Sequence, residues 1–157
     1  MKIIGIDPGL SSTGVGMVMA NNLKVNTYSF FTIKTKQSES TSNRLLNIYN
    51  SIIEYLQKEK PDFLIIEDIY FLPKYPKSGI ILGKVCGVLL LAASMCNVKT
   101  IEIPAKEVKK VLTGNGKSSK KQLEIAVRHF LNCNNPVKPD HASDALALAL
   151  TGLFRYI

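Results

Sequence analysis

The chain has 157 residues, and its 20 Lys plus Arg against 12 Asp plus Glu leave a formal charge of +8. A composition that is 46% hydrophobic and 20% charged excludes a disordered basic tail, and the length suits a single domain, residues 1–157, with a real core. So large a positive excess concentrates polyanions, which puts nucleic acid or an anionic membrane surface first among the partners to consider. Cys86, Cys96 and Cys133 are too few and too irregularly spaced for a disulfide framework or a zinc site, which fits a reducing cytoplasm. The apolar run that opens the chain is too short for a signal peptide. The longest apolar stretch, Val85 to Cys96, is shorter than the roughly 18 residues of a membrane span. The expectation is a soluble, intracellular protein.

Ile3 to Ile6 reads as a strand that stops at the turn signal Asp7-Pro8-Gly9. Val15 to Met19 and Val25 to Ile33 read as a strand pair about a turn at Asn21-Asn22. Leu45, Leu46, Ile48, Tyr49, Ile52, Ile53 and Leu56 then recur at helical spacing. Phe63 to Ile66 is an apolar strand ending at Glu67-Asp68, and a helix over 78–97 is apolar nearly all round after Val85. Val98 to Ile103 is a fifth strand. A helix, a break at Gly114-Asn115-Gly116, a second helix to about Asn132 and a final helix from Pro139 complete the chain. This order implies an α/β protein with a mixed five-stranded sheet flanked by helices.

Chemistry in such sheets gathers at strand ends. Asp7 closes the first strand, Glu67 closes the fourth, and His141 and Asp144 share one face in the first turn of the last helix, whose N-terminus favours a negative charge. If these ends meet, three carboxylates and an imidazole converge, a set suited to Mg²⁺ or Mn²⁺. The plain alternatives are a turn residue at Asp7, a strand meeting water at Glu67 and Asp68, and an N-cap at Asp140. A second feature is Lys106 to Lys121, where six lysines against Glu107 alone give a local +5 suited to phosphate contact or to a solvated helical face. Tyr70, Phe71 and Tyr75 stand among lysines, placed either to stack on unpaired bases or to cap the core. Gly116-Lys117-Ser118 is not a P-loop, because Val111 stands where the first glycine belongs. Gly14-Val15-Gly16 lacks the third glycine of a dinucleotide fingerprint. Cys86, Cys96 and His129 read as structural.

Taken in order, Gly5-Ile6-Asp7-Pro8-Gly9 with Thr13-Gly14, Ile66-Glu67-Asp68, Pro104 to Lys110, Thr113-Gly114-Asn115-Gly116 and Asp140-His141-Ala142-Ser143-Asp144-Ala145-Leu146-Ala147 resemble the motifs of the RuvC family of Holliday-junction resolvases. The resemblance implies an RNase H-like fold, a homodimer, and Mg²⁺-dependent nicking of paired strands of a four-way DNA junction, with Mn²⁺ able to substitute. By position it makes Asp7, Glu67, His141 and Asp144 the ligands of two ions, with Asp140 as the neighbouring candidate for the His141 place. Asp7 would bridge the ions, and Lys120 would offset charge on the phosphorane. Lys109, Lys110, Lys117, Lys120, Lys121, Tyr70 and Phe71 would contact DNA, and the helix 78–97 would form the dimer interface. The alternative within the superfamily is a nuclease for flaps, forks or RNA–DNA hybrids. An actin-like ATPase needs two large lobes, for which this chain is too short. A junction-binding protein without activity is disfavoured because the acidic set is complete.

Overall fold

A computed structural model of the chain describes residues 1–69 and 76–156. Its elements are β1 (Lys2–Asp7), β2 (Ser12–Asn21), β3 (Lys24–Lys34), α1 (Thr41–Glu59), β4 (Phe63–Asp68), α2 (Pro76–Met95), β5 (Lys99–Pro104), α3 (Ala105–Thr113), α4 (Lys120–Leu131) and α5 (Asp140–Arg155). The five strands lie in the order β3-β2-β1-β4-β5. β1, β2 and β3 pair antiparallel, while β4 joins β1, and β5 joins β4, in parallel. This is the mixed sheet expected, and it carries the C-terminal ends of β1, β4 and β5 to one edge.

Two differences from the sequence reading are local. The hairpin turns at Asn22-Leu23, both at positive φ, because Asn21 still pairs with Lys24 in the ladder. The apolar helix spans Pro76–Met95 instead of 78–97, since proline is at home in a helix's first turn and the chain leaves the helix at Cys96-Asn97, with Asn97 left-handed.

Each face of the sheet buries its own core. Ile4, Ile6, Val15, Leu64 and Ile66 pack with α1 and α2. Ile3, Val18, Ala20 and Ile65 pack with α3, α4 and α5. Because side chains alternate along a strand, Asp7 falls on the face of Ile3 and Gly5, and Glu67 on the face of Ile65. Both therefore emerge on the α5 side.

α5 lies directly on that face. A side chain at Gly5 would strike the α5 backbone at Ala145 and Ala149, and one at Gly16 would strike it at Leu146, 2.6 Å from a Cβ. Nearly every residue of α5 from Ala142 to Leu153 is buried, so it is a central core helix with contacts all round. α2 is different. Val85, Cys86, Leu89, Ala92 and Ala93 join the core, but Ile80 and Met95 are each 61% exposed and Leu91 is 54% exposed. At 20 residues, with a mean hydropathy of 1.9 over its most apolar 18, α2 is long and apolar enough by composition to cross a membrane, a length that the apolar stretch Val85 to Cys96 alone does not reach.

Candidate active site

The parallel pairing of Ile6 with Ile66 sets Asp7 and Glu67 side by side at the strand ends. From above, α5 brings His141, whose Nδ1 lies 2.6 Å from Asp7 Oδ2. Gly14 permits this approach, because a Cβ there would overlap the carbonyl of His141. One further turn along α5, Asp144 receives the Lys120 ammonium from the start of α4 at 3.4 Å. These four residues, with Lys109 and Lys120, line a cavity of about 220 Å³ floored by Val108, Leu123 and Leu148.

Charge in this cavity is out of balance. Asp7 is only 8% exposed, and burial pushes its carboxyl above the usual range, an effect that His141 partly offsets. Burial and the neighbouring Asp7 charge push Glu67 up to about 7. Asp144, in turn, raises Lys120. Carboxylates under such mutual repulsion favour a cation among them. The donor set, mostly carboxylate oxygen in an open pocket, fits a hard divalent ion that keeps water in its shell. Among the described residues no group of three or more His, Cys, Asp or Glu side chains is placed to hold a metal ion as the side chains stand.

Asp140 is the first residue of α5, with Pro139 as the N-cap, so the alternative reading of Asp140 as a cap does not hold. Its carboxylate turns to Lys138 at 3.3 Å and is 66% exposed, leaving His141 as the residue aimed at Asp7. Asp144 lies beyond the first turn, where Asp140 is the only acid, so the helix terminus does less for Asp144 than the sequence reading assumed. The connection that delivers α5 is held by α4. Glu124 Oε1 accepts the Val137 amide at 3.0 Å, and Arg128 donates to the Asn134 carbonyl at 3.2 Å while pairing with Glu124. Sequence reasoning missed this clamp, although the Glu124 to Arg128 spacing of one helical turn is its visible trace.

Of the other basic residues, Lys121 lines a groove of about 450 Å³ that shares Lys120 and Asp144 with the cavity and also holds Arg128, Lys138 and Asp140. Lys110 and Lys117 are exposed and line neither space. A third hollow, of about 480 Å³, meets the site at Asp7 and Glu67 and runs past Lys106 to Leu82 of α2. Tyr70 and Phe71 lie outside the described residues. His129 stacks edge-on against Phe130 in the last turn of α4, and Cys86 is buried, its thiol pushed up to about 12 by desolvation.

The family model described as "Crossover junction endodeoxyribonuclease RuvC" matches residues 3–152. The chain belongs to the RuvC family. A crossover junction endodeoxyribonuclease RuvC of Carboxydothermus hydrogenoformans is 37% identical over 155 residues, covering 99% of this chain and 97% of that protein. A RuvC of Endomicrobium trichonymphae is 40% identical over 96% of this chain and 79% of its own length. Among solved structures, Thermus thermophilus RuvC in complex with a Holliday junction substrate superposes with a TM-score of 0.92 at 29% identity, covering 99% of this chain and 94% of that one. A yeast mitochondrial Holliday junction resolvase, at 13% identity and a TM-score of 0.64, shares the fold. The RNase H-like architecture and the nuclease class are those expected.

Proposed function

We propose that this protein is a Holliday-junction resolvase that nicks paired strands of four-way DNA, and that each chain is a single endonuclease domain with one active site. The observation that carries the reading is the convergence of Asp7, Glu67, His141 and Asp144 from three elements into one cavity that also holds Lys109 and Lys120, in a chain of the RuvC family. The four acidic and imidazole groups would hold two Mg²⁺ ions, with Mn²⁺ as a substitute, and the ions would supply Lewis-acid activation of water and of the phosphodiester.

The chain's own groups do the rest. Asp7 contacts His141 and stands beside Glu67 at the paired strand ends, so it sits at the centre of the acidic set. His141 Nδ1 fixes one Asp7 oxygen and offers a ring nitrogen through which a proton can pass. Lys120 is exposed, and its ammonium lies 3.4 Å from Asp144 Oδ2, which holds its charge beside the cavity where a phosphate would enter. Lys109 adds a second cation to the same cavity. Lys110, Lys117 and Lys121 extend backbone contact, and Tyr70 and Phe71 stack on junction bases.

A second copy of the chain covers α2. The helix presents Gly79, Gly83 and Gly87 at one-turn intervals, each with nothing within 4 Å of a built Cβ, next to exposed Ile80, Ile81 and Leu91. That seam admits a second helix closely, and core residues Val85 and Leu89 anchor α2 to the sheet in a way a membrane span does not share. A two-fold dimer presents two sites to a two-fold junction. The protein acts in the cytoplasm, where its DNA lies.

Cleavage of a mobile four-way junction, a linear duplex, a flap, a fork and an RNA–DNA hybrid with Mg²⁺ tests the reading. Paired nicks in the junction are expected, with the other substrates cut far more slowly. Equal or faster cutting of flaps, forks or hybrids overturns it in favour of another RNase H-like nuclease.

A further inference from the structure

The loop that follows Asp7 is bolted to α1 by one arginine. Arg44, in the first turn of α1, donates from Nε to Thr35 Oγ1 at 2.8 Å and from Nη2 to Ser11 Oγ at 2.7 Å. Thr35 passes the link on, its hydroxyl donating to the Leu10 carbonyl at 2.6 Å and its amide to the Ser11 carbonyl at 3.2 Å. Both acceptors of the guanidinium are neutral. Among the described residues no carboxylate pairs with Arg44, and Glu39, just ahead of the helix, does not reach it. The first turn of α1 also holds no acid, although a helix N-terminus favours one.

The guanidinium is only partly covered and faces no carboxylate, so its remaining donors are open to an anion from outside. Two of the five guanidinium N–H groups are engaged here, which leaves three to donate. Ser11 is exposed beside it, and Lys34 and Lys36, the exposed residues on either side of Thr35 in the chain, add positive charge to this segment. β3 runs parallel to β1, so β3 ends and α1 begins at the same end of the sheet as Asp7, with α1 packed on the face opposite α5.

We propose that Arg44 and Ser11 seat a phosphate of the DNA strand on the α1 side of the catalytic cavity, so that the DNA crosses the Asp7 loop as well as the lysines of α3 and α4. The proposal rests on the resolvase reading for the identity of the DNA, but its test does not. Binding to a four-way junction and to a linear duplex is measured in EDTA across a salt series, so that neither is cut. Arg44→Gln is expected to weaken binding about tenfold and to reduce the log–log salt slope by about 0.9, the loss of one phosphate contact. Thr35→Val, which cuts the loop bolt without changing charge, is expected to leave the slope at its wild-type value. An unchanged slope in Arg44→Gln overturns the phosphate seat, as does an equal loss of slope in Thr35→Val. If Arg44→Gln does not fold, Arg44→Lys carries the test: the charge stays but the fork is lost, so the junction Kd should rise several-fold, and an unchanged Kd overturns the seat. Wild-type protein that binds junction no better than duplex contradicts the resolvase reading and leaves this slope comparison intact.

Discussion

His141 Nδ1 and Asp7 Oδ2, 134 residues apart in sequence, stand 2.6 Å from each other where α5 crosses the end of β1. The contact orients an Asp7 oxygen and lowers a carboxyl that burial otherwise raises. Replacement His141→Ala should therefore reduce junction cleavage by about 100-fold while metal-free junction binding stays within a few-fold of wild type. His141→Asp, which supplies an oxygen ligand in its place, should recover much of the rate. Single-turnover cleavage at saturating enzyme checks both, and an Asp variant as slow as the Ala variant would contradict the ligand role.

The acidic cluster makes the cation-free protein pH-sensitive in a definite direction. Burial and the neighbouring Asp7 push the Glu67 carboxyl up to about 7 in the folded chain, from an ordinary 4.5. Between those values the folded chain holds a proton that the unfolded chain has lost. The stability this represents is fully present below the unfolded value and disappears as pH rises through about 7, and the raised Asp7 acts in the same sense. Melting temperature in EDTA should fall from about pH 5 to pH 8 more steeply for wild type than for Glu67→Gln, and Mg²⁺ should recover the loss on the alkaline side. Parallel pH profiles for the two proteins would show that Glu67 is not the group responsible.

Gly14 tests how the site is held. Its Cβ position is filled by the His141 backbone, so Gly14→Ala must displace the start of α5. A destabilisation of about 3 kcal/mol in urea unfolding is expected, with cleavage lost even in molecules that remain folded. Stability within about 0.5 kcal/mol of wild type would mean that α5 is not pinned there.

The strand ends were legible in the sequence because apolar runs stop abruptly at Asp7 and Glu67, and alternation then decides which face each acid takes. The pairing of His141 with Asp7 was not. It depends on Gly5, Gly14 and Gly16 letting α5 settle onto the sheet, and glycines in a strand pattern do not say what approaches them. Asp140 and His141 are adjacent in sequence, so only the start of α5 and the Lys138 contact separate their roles. The Arg44 link was equally hidden, since Ser11, Thr35 and Arg44 come from three different segments.

α2 offers a separate test of assembly. Gly83 meets nothing within 4 Å, so in an isolated chain Gly83→Leu should be neutral or stabilising by about 0.5 to 1 kcal/mol, because glycine is a poor helix residue. In a dimer packed through this seam the same change should drive dissociation. Sedimentation should show wild type as a dimer and Gly83→Leu as a monomer that cuts junctions less symmetrically. A variant that remains fully dimeric would place the interface elsewhere.

The metal-centred reading of the site is tested most directly by Asp7→Asn assayed on a mobile four-way junction, with cleavage in Mg²⁺ and binding in EDTA measured on the same preparation. The exchange keeps size and removes one charged oxygen from the centre of the acidic set. Cleavage should fall by on the order of 10³-fold, while metal-free binding persists or tightens because one fewer carboxylate repels phosphate. Nicking by Asp7→Asn at the wild-type rate would contradict the assignment of this cavity as the catalytic centre.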